Sequence, residues 1–241
     1  MILHRVRPLV LVLLAAACHS GVPSTTPSPA PFPDDLKWMR TSAEYPALTL
    51  EIYRAATTYV RAAARGLPAG SWAVILDADE TILDNSEHER RLVVAGTRFS
   101  DATWAPWVRE RAAPAVPGAV AFVQAVQAAG GRIVVVTNRA DSLCSDTRSN
   151  LESVGVRADL VLCQPVGPSD KNPRFERVRQ GRAEPGVGPL RVIAFLGDNI
   201  QDFPGLSQAA RGTPGALDQF GAGWFMLPNP MYGSWERNPD R

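Results

Sequence analysis

The sequence predicts an α/β domain in which a central, mostly parallel sheet is covered by helices on both faces. Short, almost continuous apolar runs recur along the chain, and such runs are typical of strands buried on both faces. Segments with a helical pattern separate successive runs, which favours parallel strands joined by helices. The chain has 241 residues, enough for one three-layer domain with a small, mainly helical insertion.

The predicted elements follow one another in a regular order. The first helix covers residues 42–65 and ends before Gly66-Leu-Pro68. The first strand, 72–77, precedes a polar stretch expected to form short helices, an insertion at about 84–113. A helix over 117–129 begins with a proline and ends at two glycines. The later elements alternate in type: strands over 132–137, 159–163, 190–196 and 224–227, and helices near 146–154 and 172–180.

The N-terminal segment has the form of an export signal. Arg5 and Arg7 precede an apolar run that ends in small residues before Cys18, as in secretory signals, and the run is too short to span a membrane comfortably. The residues before Cys18 resemble the lipobox of bacterial lipoproteins, in which the cysteine is lipidated. A plain cleaved signal, with Cys18 incidental, is the alternative.

These features predict a division of the chain and a location. We expect a signal peptide over 1–17, a Pro/Ser-rich tether over 18–36 after lipidated Cys18, and a folded domain over 37–241. The lipid anchor makes the membrane a predicted partner and the bacterial cell envelope the predicted location. His19 after the cysteine, instead of aspartate, favours the outer membrane.

Charge and residue usage exclude several function classes. The formal net charge is +1, so nucleic-acid binding driven by bulk electrostatics is unsupported. Neither Cys144 nor Cys163 begins a Cys-x5-Arg phosphatase loop. Of the three histidines only His88 lies beyond the N-terminal segment, and one histidine cannot build a His-rich zinc site. The chemistry therefore depends on carboxylates.

Polar residues stand where the predicted strands end, and ligands of parallel sheets bind beyond those ends. Asp77 and Asp79 follow the first strand, and extended geometry would project them together. Their proximity suits an ionised nucleophile beside a protonatable general acid. The other candidates in this position are Thr137, Asn138, Lys171, Asp198 and Asp202. Carboxylate oxygens in such a set suit Mg²⁺.

The ordered set of motifs resembles the haloacid dehalogenase (HAD) superfamily and, within it, the class C nonspecific acid phosphatases, the bacterial 5′-nucleotidase lipoproteins. The resemblance extends from about Trp72 to Trp235. The segments that carry it are Ile75-Leu-Asp-Ala-Asp-Glu-Thr-Ile-Leu-Asp-Asn-Ser86, Trp104-Ala-Pro-Trp-Val108, Ala115-Val-Pro-Gly-Ala-Val120, Val136-Thr-Asn-Arg139, Leu196-Gly-Asp-Asn199, Asp202-Phe203, Met226-Leu-Pro-Asn229 and Tyr232-Gly-Ser-Trp235. The resemblance implies a HAD-like Rossmannoid sandwich with a small cap.

The resemblance also implies a role for each matching residue. Asp77 is expected to become phosphorylated, and Asp79 to act as the general acid while offering its backbone carbonyl to Mg²⁺. Thr137 and Lys171 would hold the phosphoryl oxygens. Asp198 would bind Mg²⁺ directly. The remaining candidates are Asp202, which would act through water or by fixing Lys171, and Asn138 and Arg174 beside the phosphate.

Substrate selectivity is less determined by this resemblance. Trp104 and Tyr232 match positions where the family stacks the base of a nucleoside monophosphate, although packing is the alternative for each, and packing is expected for Trp107. His88 and Arg91 replace aromatic residues expected in relatives, and a solvent-facing His88 is favoured over a substrate contact.

Several alternatives remain open at this stage. The expected substrate is a small phosphomonoester, with 5′-nucleotides included. A phosphotransferase would share the covalent intermediate, and a binding lipoprotein on this fold would capture a ligand without turnover. The oligomeric state, a dimer included, and a disulfide between Cys144 and Cys163 are also open.

Overall fold

The computed structural model describes residues 31–239. The predicted signal peptide, Cys18 and most of the predicted tether lie outside these residues. Helical structure begins with α1 (Asp34–Thr41), a helix that the sequence analysis did not predict and that starts three residues before the boundary placed at 37. Leu36 and Met39 of α1 are buried, so this helix packs as part of the domain. Within residues 31–239, no helix has both the length and the apolar character needed to cross a membrane.

A five-stranded parallel sheet forms the centre of the domain. Its strands are β1 (Trp72–Leu76), β2 (Arg132–Ala140), β3 (Leu160–Gln164), β4 (Arg191–Gly197) and β5 (Trp224–Met226). They lie in the order β3-β2-β1-β4-β5, and every neighbouring pair is parallel. The chain first builds outward from β1 through β2 to β3 and then returns to place β4 on the other side of β1. Such a reversal opens a crevice beyond the carboxyl ends of the strands.

Helices cover both faces of this sheet, which confirms the predicted fold class. Alternate residues of a strand point to opposite faces: Trp72, Val74 and Leu76 join one apolar core, whereas Ala73 and Ile75 join another. The first core also contains residues of α2 (Glu44–Ala63), α5 (Ala119–Ala128) and α6 (Cys144–Ser153). The second contains residues of α7 (Asn172–Arg179).

The segment between β1 and α5 forms the helical insertion, called the cap below. It consists of α3 (Ser86–Ala95) and α4 (Asp101–Glu110). The backbone of Leu83 pairs with that of Ala115, so the chain enters and leaves the cap at one place. Ser100 caps α4 by accepting a hydrogen bond from the backbone of Thr103, which satisfies an N–H group that the helix leaves free.

The structure answers the open question about the cysteines. Cys144, at the start of α6, and Cys163, in β3, form a disulfide with their Cα atoms 5.8 Å apart. The bond joins an outer strand of the sheet to the helix that covers it.

Candidate active site

Lys171 connects two carboxylates at the carboxyl end of the sheet. Asp77 is the first residue after β1, and its backbone N–H donates to the carbonyl of Leu196 in β4. Lys171 is the residue immediately before α7, and only 3% of it is exposed. Its Nζ lies 2.7 Å from Oδ1 of Asp77 and 2.6 Å from Oδ1 of Asp202. Residues distant in sequence therefore form one buried ion-pair network.

A third carboxylate completes an acidic cluster. Asp198 follows β4, and Asp202 ends the short helical turn Ile200–Asp202. Oxygens of Asp77, Asp198 and Asp202 all lie within 4.8 Å of one another. Gly197 permits this approach, because a Cβ at that position would lie 2.3 Å from Cβ of Asp202. Three carboxylates beside one ammonium leave a net negative charge, and their hard oxygen donors fit a divalent cation such as Mg²⁺.

The pKa values of the cluster show that Lys171 does not fully compensate the charge of the surrounding carboxylates. Burial raises the pKa of Asp77 to about 7, against the lowering effect of Lys171. Burial, followed by repulsion from Asp202, also raises the pKa of Asp198 well above its usual range. Burial alone would lower the pKa of Lys171, but attraction to Asp202 and Asp77 raises it above its ordinary value. The lysine therefore stays charged, and a further cation would favour the ionised forms of Asp77 and Asp198.

Asp198 is oriented by two residues to which the sequence analysis assigned no role. Thr81 donates to Oδ1 of Asp198 over 3.3 Å, and the side-chain amide of Asn229 donates to Oδ2 over 2.9 Å. The amide oxygen of Asn229 also accepts from the backbone N–H of Met231 at 3.0 Å. Thr81 and Asn229 lie within motifs that carried the family resemblance. Those motifs were the available signal, but their partners are distant in sequence.

Asp79 has a separate cation and does not belong to the acidic cluster. Arg139 contacts its Oδ1 through Nε at 2.9 Å and through Nη2 at 2.8 Å, and Nδ2 of Asn85 donates to the same oxygen at 2.8 Å. The expected parallel projection of Asp77 and Asp79 required extended backbone through both residues. Because β1 ends at Leu76, that alternation does not apply. Arg139 and Asn85 lie within the sequence motifs, but no role for them could be predicted from those motifs.

The remaining residues that were predicted to contact phosphate lie at the end of β2. This strand continues to Ala140, three residues beyond its predicted end. Thr137 is fully buried, and its Oγ1 accepts from the backbone N–H of Arg139 at 3.1 Å. Asn138 is exposed, and its Oδ1 accepts from Nη2 of buried Arg174 at 2.5 Å. Arg174 also donates to the carbonyl of Thr137, so it fixes this end of the strand.

The cap contributes a cluster of aromatic side chains. Trp107 is buried, and its Nε1 donates to Oδ1 of Asn85 at 2.8 Å, as expected for a packing residue. His88 is 2% exposed, so the expectation of a solvent-facing histidine was wrong. The rings of Phe99, Trp104 and Trp107 surround it, with the ring of Trp104 at 5.1 Å. The burial of His88 by these rings could not be inferred from the local sequence.

The two predicted base-stacking residues lie on different elements. Trp104 is half-buried on α4, and its ring lies 5.3 Å from the guanidinium carbon of Arg139. Tyr232 is half-buried in the turn that Asn229 holds. Trp104 is therefore connected to Asp79 through Arg139, and Tyr232 to Asp198 through Asn229.

The chain is similar to known proteins in both sequence and fold. The family described as HAD superfamily, subfamily IIIB (acid phosphatase), matches residues 23–235. The class C acid phosphatase of Bacillus anthracis with tungstate bound is 30% identical, with a TM-score of 0.74 over 84% of this chain and 85% of that one. A second structure of that enzyme gives 31% identity and a TM-score of 0.73 over the same shares.

A plant protein is also similar. Acid phosphatase 1 of Solanum lycopersicum is 30% identical over 166 residues, which is 66% of this chain and 57% of the tomato protein. The match thus spans little more than half the length of that relative.

Proposed function

Because the chain belongs to the HAD superfamily, subfamily IIIB, a family of acid phosphatases, we propose that it hydrolyses small phosphomonoesters through a phosphoryl group carried on Asp77. Membership confirms the family expected from the sequence and places the chain among the phosphoric monoester hydrolases. One observation carries the proposal: Lys171 lies between Asp77 and Asp202 beside the carboxylate of Asp198. Nucleoside 5′-monophosphates are the substrates to test first.

Substrate binding would use the positive charge and the donors next to Asp77. The ammonium of Lys171 would neutralise part of the phosphate charge, and the hydroxyl of Thr137 would donate a hydrogen bond to a phosphate oxygen. The related enzyme of Bacillus anthracis has been crystallised with tungstate, a tetrahedral oxyanion similar in shape to phosphate. This supports the proposal that the present chain also binds a tetrahedral oxyanion.

The reaction would proceed in two steps with the same two carboxylates. A carboxylate oxygen of Asp77 forms a bond to phosphorus as the ester P–O bond breaks, and Asp79 gives its proton to the departing alcohol oxygen. A water molecule then attacks phosphorus and gives a proton to Asp79. Inorganic phosphate leaves, and Asp77 is regenerated as a carboxylate.

The cofactor that we propose is Mg²⁺, held by a carboxylate oxygen of Asp77, the backbone carbonyl of Asp79 and the carboxylate of Asp198. When bound, Mg²⁺ would offset the repulsion between Asp77 and the phosphate. Asp202 accepts from Lys171 through Oδ1 and from the backbone N–H of Asn199 through Oδ2. Of the two roles expected for Asp202, these contacts support the fixing of Lys171.

The decisive experiment assays the purified protein on p-nitrophenyl phosphate and a panel of nucleotides, with and without EDTA. Asp77→Asn is compared with Asp218→Asn, an exposed aspartate outside the motifs that form the site. We expect metal-dependent turnover that Asp77→Asn abolishes and Asp218→Asn retains. Full activity of Asp77→Asn, or turnover that EDTA leaves unchanged, would contradict the mechanism.

The same assay separates the alternatives. No turnover by folded wild-type protein on any monoester would favour a ligand-binding lipoprotein. Transfer of the phosphoryl group to added glycerol, at the expense of free phosphate, would favour a phosphotransferase.

The anchored location is a separate proposal. We propose that the chain is exported and lipidated on Cys18, which would make the envelope membrane its partner. The Cys144–Cys163 disulfide supports export, because disulfides persist in oxidising compartments. Labelling of cells with radioactive palmitate should mark the wild type and not Cys18→Ala, and the labelled protein should sediment with outer membranes. An unlabelled wild-type protein would contradict the proposed lipid anchor.

A further inference from the structure

We propose that Arg139 is a positioning residue that holds Asp79 for proton transfer, with Asn85 as its partner. The inference rests on the proposed function, in which Asp79 is the general acid. It concerns the contacts that orient this carboxylate, and these contacts lie apart from Lys171 and the acidic cluster.

All the contacts that hold the carboxylate of Asp79 act on one oxygen. Nε and Nη2 of Arg139 lie 2.9 and 2.8 Å from Oδ1, and Nδ2 of Asn85 lies 2.8 Å from it. Among residues 31–239, no hydrogen bond reaches Oδ2 of Asp79. The three N–H donors fix the position of Oδ1, and Oδ2 is therefore the oxygen of this carboxylate that can face the substrate.

The guanidinium is buried at an energetic cost. Arg139 is 1% exposed, and its Nη1 is buried without a hydrogen-bond partner in the described part of the chain. Unpaired buried donors are rare in proteins because each loses its hydration. Only a planar fork presents two donors to a single oxygen in a fixed direction; a lysine would supply a point charge with free rotation. The cost is understandable if the direction of the carboxylate matters.

Helix α4 of the cap holds the other side of this arrangement. The ring of Trp104 lies 5.3 Å from the guanidinium carbon of Arg139, within the range of a cation–π contact. Trp107 donates to Oδ1 of Asn85, the same oxygen that Nη2 of Arg139 reaches at 3.2 Å. Two tryptophans one helical turn apart therefore lock both residues that hold Asp79.

A predicted consequence follows for the chemical step. The proton on Oδ2 passes to the ester oxygen as the P–O bond breaks, and Oδ1 keeps its three donors throughout. Loss of Arg139 would free the carboxylate to rotate, which should slow proton donation and leave attack by Asp77 intact. The hydrolysis of esters whose leaving group needs a proton should become slower, whereas the hydrolysis of esters of acidic phenols should not.

The test compares two substrates at one fixed pH. p-Nitrophenyl phosphate has a leaving group that departs as an anion, whereas glycerol 3-phosphate releases an alcohol that requires protonation. For Arg139→Met we expect kcat/KM to fall roughly 100-fold on glycerol 3-phosphate, in the range of general-acid catalysis, and less than about tenfold on the aryl ester. Arg148→Met, a half-buried arginine that bonds the carbonyl of Val161, is the matched control and should change neither.

Two further measurements separate positioning from folding and binding. The rise in melting temperature caused by tungstate should be the same in Arg139→Met and in the wild type, because Lys171 and Asp77 remain. If Arg139→Met does not fold, Arg139→Lys keeps a positive charge in the same place and should show a smaller loss with the same substrate selectivity.

The remaining outcomes distinguish a failure of this inference from a failure of the proposed function. Equal losses on both substrates, or no loss on either, would overturn the role of Arg139 while the proposed function stands. Loss of the tungstate effect in the variant would make Arg139 a binding residue and would also overturn the inference. A wild type inactive on both esters would instead overturn the proposed function.

Discussion

The ammonium of Lys171 lies 2.7 Å from Oδ1 of Asp77. Both side chains are almost fully buried, so their attraction is weakly screened by solvent. The pairing keeps a cation next to the proposed nucleophile, where a phosphate group would arrive. It also compensates part of the negative charge of the acidic cluster.

Removal of Lys171 should affect both stability and activity. Loss of one partner from a buried ion pair leaves an uncompensated charge, and we expect Lys171→Met to lower the free energy of unfolding by about 3–5 kcal/mol. The turnover of p-nitrophenyl phosphate should fall at least about 100-fold. Urea unfolding and steady-state kinetics measure the two effects. Lys37→Met, at an exposed position, is the control, and equal stability of the two variants would contradict the prediction.

Asn229 should tune the affinity of the proposed metal site. Its amide holds Oδ2 of Asp198, and removal of residues that orient metal ligands commonly costs 10–100-fold in affinity. We therefore expect Asn229→Ala to need roughly ten times more Mg²⁺ for half-maximal activity, with activity largely recovered at high Mg²⁺. Isothermal titration with Mg²⁺ gives an independent measure of affinity. An unchanged Mg²⁺ requirement, as expected for the exposed Asn238→Ala, would argue against this role.

The disulfide should stabilise the domain without affecting catalysis. Cys144 and Cys163 are 19 residues apart in sequence, and a closed loop of this size is worth about 3 kcal/mol. The double variant Cys144→Ser/Cys163→Ser should therefore melt several degrees lower and keep the wild-type kcat at 25 °C. Addition of dithiothreitol should lower the melting temperature of the wild type and not of the variant. A variant as stable as the wild type would show that the bond contributes little.

Glu87 should make a small contribution to stability that depends on pH. Hydrogen bonds from Arg90, and then from Arg91, lower the pKa of Glu87 to about 2 from an ordinary value of 4.5. Because the folded pKa is the lower one, the stabilisation is complete above about pH 4.5 and disappears as the pH falls towards 2. Glu87→Gln should cost less than about 1 kcal/mol at pH 7, since the pairs lie at the surface. The difference from wild type in urea unfolding should shrink at pH 3 and in 1 M NaCl, and a constant difference would refute the assignment.

The strands and helices were predictable because their signals are local. The run from Trp72 to Leu76 is apolar throughout, and a strand covered on both faces requires this. Helix α1 was missed because only Leu36 and Met39 are buried in it, and two residues make too weak a periodic signal. The strand β2 was predicted too short, because its register with β3 shifts after Val136 and pairing resumes only between Ala140 and Gln164, which sequence alone does not indicate.

The identities of the charged residues at the site were also predictable, but their pairing was not. Asp77 and Asp198 directly follow strands, Lys171 precedes a helix, and Asp202 ends the short turn after β4. The topology of a parallel sheet brings them to one edge. Which cation pairs with which carboxylate depends on the directions of the side chains and on differences in distance of a few ångströms. Asp79 pairs with Arg139, sixty residues away in sequence, and no local pattern determines that choice.

The sequence by itself therefore determined the fold class, the family and the acidic residues at one end of the sheet, because hydrophobic periodicity and strand ends are properties of short segments. Only the tertiary structure decided that Lys171 forms an ion pair with Asp77, whereas Arg139 and Asn85 contact a single oxygen of Asp79. It also decided that His88 is covered by the rings of the cap. Contacts of this kind arise from packing between elements that are distant along the chain, and their strength depends on distances that a linear pattern does not contain.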